Sequence, residues 1–296
     1  MVRVKVPATT ANIGAGFDCM GLAFKLYNEY FFEEIPEGLE FVGVKEEFCN
    51  EQNIIYEAMI RCFNKANYKK IGVKIGIIKE EIPISRGLGS SSSCIVAGLI
   101  GANILMGSPF SNDDLFDLAV EIEGHPDNVS PAFFGGIVVS SMEEGKAYYN
   151  RIDIKDGIEF LAFIPEFTLS TEKARKALPE VIPFKDGVYN IGKAALTLSC
   201  FYSGNFDLLK VACKDKLHEN YRSNLIPNFD NITNKARELG ALCVFLSGAG
   251  PTIMCIIKKG SIDIKEGIKK YLETLDGGWK LLELEKNNIG PEIVEG

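Results

Sequence analysis

Histidine is scarce in this chain of 296 residues: only His125 and His218 occur. With no HExxH pair, no C-x-x-C pair and no G-x-S-x-G elbow, zinc hydrolysis and triad catalysis lack their usual residues. A full G-x-G-x-x-G is missing too, since Gly14-Ala15-Gly16 and Gly87-Leu88-Gly89 each lack the third glycine. No lysine follows the second pair as GxxxxGK[ST] requires, so neither a dinucleotide fingerprint nor a Walker loop is present. The longest apolar stretch, ending at Met106, is too short to span a bilayer, and Val2, Val4 and Val6 open an alternating strand with no leader ahead of it. Positive charge is in deficit: 40 acidic against 32 basic residues give a net charge of -8. Such a surface repels nucleic acid and anionic membrane. The eight cysteines are never closer than twelve residues. Several, among them Cys94, Cys243 and Cys255, lie in apolar runs and read as small buried hydrophobes of a reducing, cytoplasmic compartment.

What is present is a globular composition, 46% hydrophobic and 24% charged, long enough for one large or two ordinary domains. Strands are expected at residues 2–6, 30–34, 73–78, 136–142 and 158–164. Apolar spacing predicts helices over 53–64 and 111–123, the latter opened by the capping box at Ser111 and closed by Gly124 and Pro126. Residues 94–106 are apolar all round and should form a central buried helix, with Gly98 and Gly101 allowing close packing. The polar stretch 143–157 is the expected domain boundary. Beyond it, helices at 171–178, 187–203, 206–212, 231–239 and 264–275 mix with strands at 242–246 and 252–257. Without a regular βαβ alternation, the mixture favours an α+β fold.

Three glycine-rich segments carry the chemistry. Pro7-Ala8-Thr9-Thr10-Ala11-Asn12-Ile13-Gly14-Ala15-Gly16-Phe17-Asp18 is too apolar for an exposed linker. Pro83-Ile84-Ser85-Arg86-Gly87-Leu88-Gly89-Ser90-Ser91-Ser92-Ser93 precedes the buried helix and offers backbone N–H groups, hydroxyls and a positive dipole end to phosphate. Ser247-Gly248-Ala249-Gly250-Pro251 is a tight turn between two short strands. Between the second and third lies Gly124-His125-Pro126-Asp127-Asn128, a dense polar turn. Glu123, just before it, admits two readings: a solvated glutamate, or a hard oxygen ligand which, with Ser91 or Ser93, would suit Mg²⁺ beside nucleotide phosphates.

In this order the segments PATTANIGAGFDCMG, PISRGLGSSSS, EGHPDNVSPAFFGG and LSGAGPTIMC resemble the GHMP family of small-molecule kinases, nearest to its branch acting on L-homoserine. The likeness runs from residue 2 to about 258. It implies a two-domain α+β fold: an N-terminal ATP-binding domain, 1–155, whose mixed sheet and helices carry the phosphate loop, and a ferredoxin-like C-terminal domain, 156–296. It also implies ATP and Mg²⁺, transfer of phosphate to an alcohol, a homodimer, and an adenine pocket partly formed by Asn53, Ile54 and Ile55. For the amino-acid substrate it points to Asn12, Asp18, His125, Asn128, Thr171, Arg175 and Arg222. The chemistry agrees: Asp18 can hold an ammonium, Arg175 and Arg222 a carboxylate, and Asn12 with Asn128 a hydroxyl. Asp127 as a general base, or no base at all, are both open, as are other acceptor alcohols such as mevalonate and shikimate, and a non-catalytic binding module.

Overall fold

The computed structural model describes residues 1–69 and 72–294. Alternating valines start β1 (Val2–Asn12), which turns through residues 13–15 into the long β2 (Gly16–Ile35). β3 (Leu39–Val42), α1 (Ile54–Lys65) and β4 (Gly72–Glu80) follow. Next come α2 (Ser90–Leu105), α3 (Asn112–Glu123), α4 (Val129–Phe134), β5 (Ile137–Glu143) and β6 (Lys146–Ile152). The second half holds β7 (Ile158–Ile164), α5 (Thr171–Lys176), α6 (Phe184–Ser203), α7 (Leu209–Ala212), α8 (Glu219–Arg222) and α9 (Phe229–Glu238). It ends with β8 (Cys243–Leu246), β9 (Ile253–Lys258), α10 (Ile262–Leu272), β10 (Lys280–Leu284) and β11 (Glu292–Val294).

The first sheet runs β11-β1-β2-β4-β3, with β5 on β2 and β6 on β5; among the described residues β3–β4 is its one parallel pair. The second, β10-β7-β9-β8, is antiparallel in the fourth-first-third-second order of a ferredoxin-like unit. One core joins α1–α4 to the first sheet, a second fills the space between the sheets, and a third lies under α9 and α10. Among the described residues no helix is long and apolar enough to cross a membrane.

Several expectations change in detail. The polar stretch 143–157 is no plain linker: Glu144 and Gly145 both take positive φ, making a tight hairpin that pairs β5 with β6. Tyr149 of β6 then stacks on Phe134 at 3.9 Å between centroids. The second half is not closed on itself either, because β11 pairs with β1 in the first sheet; residues 295–296 of the expected second domain lie outside the described residues. Cys243 is not a lone buried thiol, since Cys213, at the end of α7, forms a disulfide with it in the core between the sheets. Spacing alone could not pair two cysteines thirty positions apart.

The buried helix α2 begins four residues before the apolar run, at Ser90, because left-handed Gly89 turns the chain into it. A Cβ on Gly98 would overlap the Ile55 carbonyl of α1, and one on Gly101 the Phe32 ring of β2. A further buried polar group holds the third loop: Glu219 of α8 accepts the Leu246 N–H at 2.9 Å. Burial pushes its carboxyl up from 4.5 to about 7.

Gly98→Ala is expected to cost about 1–3 kcal/mol by overpacking. Gly192→Ala, where the added methyl meets nothing in α6, should be neutral or stabilise by about 0.4–1 kcal/mol through the unfolded chain. Urea unfolding of the two variants measures both. A proton is lost from Glu219 near pH 4.5 in the unfolded chain but only near 7 in the fold, so stability falls as pH rises through that window. Glu219→Gln should abolish the fall, gaining roughly 3 kcal/mol on the native protein between pH 4.5 and 7; unfolding curves at several pH values would show equal profiles if the carboxyl does not titrate there.

Candidate active site

A cavity of about 610 Å³ opens where the glycine-rich segments meet, and its wall includes residues from all three and from the 123–128 turn. The segments interlock. Thr9 N–H donates to the Leu88 carbonyl at 3.1 Å, Gly248 N–H to Ala11 at 3.3 Å, and Thr252 N–H to Arg86 at 3.2 Å. Ser247 Oγ lies 2.7 Å from Thr10 Oγ1 and also donates to the Gly87 carbonyl. Gly89 is glycine for two reasons: its φ is +74°, and a Cβ would overlap the Thr9 hydroxyl. A Cβ on Gly21 of β2 would likewise overlap the Asp127 carbonyl, which seats the polar turn against the sheet.

At the phosphate loop, Ile84, Ser85, Arg86, Gly87, Gly89, Ser90, Ser91 and Ser92 line the cavity. Gly89 has no side chain to cap α2, so the first-turn N–H groups and the positive end of a helix of 16 residues are available to an anion. Pro83, Leu88 and Ser93 are not on the wall. Leu88 is buried in the core between the sheets, and Ser93 shares a 2.8 Å hydrogen bond with Tyr30 Oη and donates to Ser90 O at 2.9 Å. Ser93 is therefore no metal ligand in this arrangement, because its hydroxyl anchors the helix to β2. Arg86 does not offer its charge to phosphate either: its guanidinium binds the carbonyls of Pro165 and Ile84, each at 2.9 Å, and of Glu166. It pins the loop to the end of β7.

Glu123 ends α3 and accepts from Ser92 Oγ at 3.2 Å. Burial raises its pKa, and the Asp127 charge adds to that, against the opposing effects of His125 and the Ser91 and Ser92 hydroxyls. A half-buried carboxylate whose charge is disfavoured, flanked by hydroxyls at a phosphate loop, is a donor set that fits Mg²⁺. Nearby, His125 Nδ1 lies 2.7 Å from Asp127 Oδ1. Burial opposes the charged ring, but the Asp127 hydrogen bond and the Asp127, Glu123 and Asp18 charges outweigh it and raise the His125 pKa. Asn128 accepts the Thr9 hydroxyl on Oδ1 at 2.9 Å, which fixes its amide.

The structure brings Asp18, His125 and Asp127 within 4.8 Å of one another. Asp18 also forms a bidentate pair with Arg175, at 3.0 and 3.1 Å. Arg222 is 2% exposed, and its guanidinium donates to the Ala174 and Gly248 carbonyls at 3.3 and 3.0 Å. It forms no ion pair among the described residues, which is costly for a buried cation and marks a place for an anion. Thr171 and Arg175 share the cavity face of α5.

Asn12 differs from expectation. Its φ is +71°, its Nδ2 donates to Gly248 O at 3.0 Å, and its Oδ1 accepts Asp18 N–H at 3.1 Å. With both amide atoms engaged it braces the loops, and positive φ at Ile13 and Asp18 shows how tightly this turn is held. Asn53 is likewise occupied as the cap of α1, accepting from Ile55 and Tyr56 N–H, while Ile54 and Ile55 line the cavity, as do Val44, Phe48 and Ile77. Sequence reasoning missed Phe48 and Ile77, which carry no motif, and Thr9, whose partner Asn128 lies 119 residues away.

Comparison with known proteins follows the same outline. The family model "GHMP kinases N terminal domain" matches residues 53–136 and "GHMP kinases C terminal" matches 197–273. A homoserine kinase of Clostridium botulinum (strain Alaska E43 / Type E3) is 58% identical over 100% of this chain and 99% of its own. One from Clostridium beijerinckii is 55% identical with the same coverage. Among solved structures, homoserine kinase from Cytophaga hutchinsonii superposes with a TM-score of 0.90 at 26% identity, covering 99% of this chain and 97% of that one. Matched in both regions, and by relatives of more than half identity along its whole length, the chain belongs to the GHMP kinase family.

Proposed function

We propose that this chain transfers the γ-phosphate of ATP to the side-chain hydroxyl of L-homoserine, forming O-phospho-L-homoserine and ADP, a step of threonine biosynthesis. The observation that carries the reading is the meeting, in one cavity with the phosphate loop, of Asp18 with Arg175 and the buried Arg222. Homoserine brings an ammonium and a carboxylate. It can exchange with the Asp18–Arg175 pair without leaving either protein charge unpartnered: the ammonium goes to Asp18, and the carboxylate to Arg175 and Arg222. A hydroxy acid with no ammonium, such as mevalonate or shikimate, would draw Arg175 away from the half-buried Asp18 and leave that carboxylate without a cation. The full-length likeness to homoserine kinases supports the same choice. Mg²⁺, a cytoplasmic location and a homodimer go with this reading.

Phosphoryl transfer asks for positioning and charge neutralisation more than for covalent help. The first turn of α2 and the loop N–H groups hold the phosphates, and Ile54 and Ile55 contribute to the adenine slot. Glu123, with Ser91 or Ser92, would hold Mg²⁺, which supplies positive charge against the transferring phosphoryl oxygens. Asn128, its oxygen fixed by Thr9, orients the attacking hydroxyl through its N–H₂. Asp127 is 3% exposed and already engaged by His125, which favours its holding the site's geometry over its taking the alcohol proton. The proton then leaves late, to phosphate or water.

An ADP-release assay with MgATP against homoserine, mevalonate, shikimate and galactose, with phosphorus NMR of the product, tests the reading. Selective turnover of homoserine is expected; preference for another alcohol would overturn the roles of Asp18, Arg175 and Arg222, and ATP binding without turnover would favour a binding module. Losing charge-assisted hydrogen bonds worth about 1.5–3 kcal/mol, Arg175→Ala should raise the homoserine KM by about one to two decades and leave the ATP KM unchanged; equal rises in both would contradict a carboxylate role. For Asp127→Asn the expected loss in kcat is about tenfold or less, whereas general-base catalysis is worth about 10²–10⁴, so a fall of several decades with unchanged KM would make Asp127 the base.

A further inference from the structure

Neither guanidinium proposed for the carboxylate is held by its own hydrogen bonds alone. Both lie against one aromatic ring: Arg222 Cζ is 5.0 Å and Arg175 Cζ 5.8 Å from the centroid of Phe17. The same ring is stacked on His218 at 5.1 Å and 22°. That histidine is buried and its Nε2 lies 3.0 Å from the Gly14 carbonyl. Its backbone N–H, and that of Glu219, donate to Asp215 at 2.7 and 2.8 Å, so the stack rests on the start of α8, the helix that carries Arg222. Phe17 does not itself line the cavity.

From this arrangement we infer that Phe17 is a positioning residue for substrate recognition: the face of its ring holds Arg175 and Arg222 side by side as one carboxylate clamp. The guanidiniums of Arg175 and Arg222 repel each other, and the buried Arg222 forms no ion pair among the described residues. The negative face of an aromatic ring attracts both cations, yet offers no hydrogen-bond acceptor that would compete with an incoming carboxylate for their N–H groups. Among the described residues the Asp18 carboxylate pairs with Arg175 alone; a second carboxylate in the place of the ring would also occupy Arg222 and leave no guanidinium for the substrate. Burial lowers the pKa of His218, so the imidazole stacked on the ring adds no third positive charge at neutral pH. Phe17 also directly precedes Asp18, so one turn of backbone sets the ring beneath the arginines and the carboxylate facing one of them.

The inference rests on the proposed homoserine specificity, and the experiment separates the two. Native enzyme, Phe17→Leu, Phe17→Tyr and Phe17→pentafluorophenylalanine are compared in steady-state kinetics with homoserine and with 3-aminopropan-1-ol, which keeps the hydroxyl and the ammonium but has no carboxylate. Phe17→Leu and the fluorinated ring, which keeps the shape and reverses the charge of the ring face, should each raise the homoserine KM about tenfold. The ATP KM and the turnover of aminopropanol should stay at native values, and Phe17→Tyr should restore the homoserine KM. In an Arg175→Ala background the effect of the fluorinated ring should shrink, since one of its two cations is gone. Unchanged homoserine KM in the fluorinated variant, or equal losses on both alcohols, would overturn the clamp role even if Phe17→Leu failed to fold. Native enzyme inert toward homoserine would instead overturn the substrate reading, and the inference with it.

Discussion

Close backbone contact between the glycine-rich segments is the constraint on which the site depends. Gly89 has room for no side chain beside Thr9, and Gly87 none beside the Ser247 carbonyl. The loops reach this distance only because hydrogen bonds from Thr9, Gly248, Thr252 and Ser247 satisfy the polar groups that are buried on the way. The consequence is mechanical. The phosphate loop, which belongs to the first sheet's helices, is tied by Arg86 and Thr252 to the second sheet, so the phosphate and acceptor ends of the cavity cannot be set independently.

Charge in the cavity is arranged by what each group lacks. Glu123 is short of a cation, Arg222 is short of an anion, and Asp18 and Arg175 satisfy each other. Arg222 is buried and the others are half-buried, and such ions contribute little to stability, since desolvation and solvent screening offset most of their attraction. The proposed function gives their arrangement a use in recognition: metal and phosphate at one end, a zwitterion at the other. His125 and Asp127 hold one another at 2.7 Å, which fixes the geometry of the turn.

Much of this was legible from residue order. Apolar spacing from Asn53 and the capping box at Ser111 mark two helices to within a residue, because periodicity and capping are local chemistry. Strand β6 is not legible in the sequence because its outward face is polar and its ties, the ladder with β5, the Phe134–Tyr149 stack and hydrogen bonds to Asp113 and Asp117 of α3, are tertiary contacts. The serines differ for a similar reason. All four look alike in sequence, but a helix turns about 100° per residue, so Ser92 faces Glu123 while Ser93 faces Tyr30. Asn12 and Arg86 look like ligand groups in a motif; their side chains are in fact taken up by backbone carbonyls and an N–H.

The chain's amino-acid order sufficed for the α+β class and for the family, since these depend on local propensity and on residue types at short spacing. Which side chains are free to act was decided in three dimensions. Asp18 meets Arg175 across 157 positions, and Asn12 meets Gly248 across 236. Phe17 becomes a platform only when α5 and α8 fold over it. A side chain's role follows from its hydrogen-bond and charge partners, and those partners come from chain packing rather than from its neighbours in sequence.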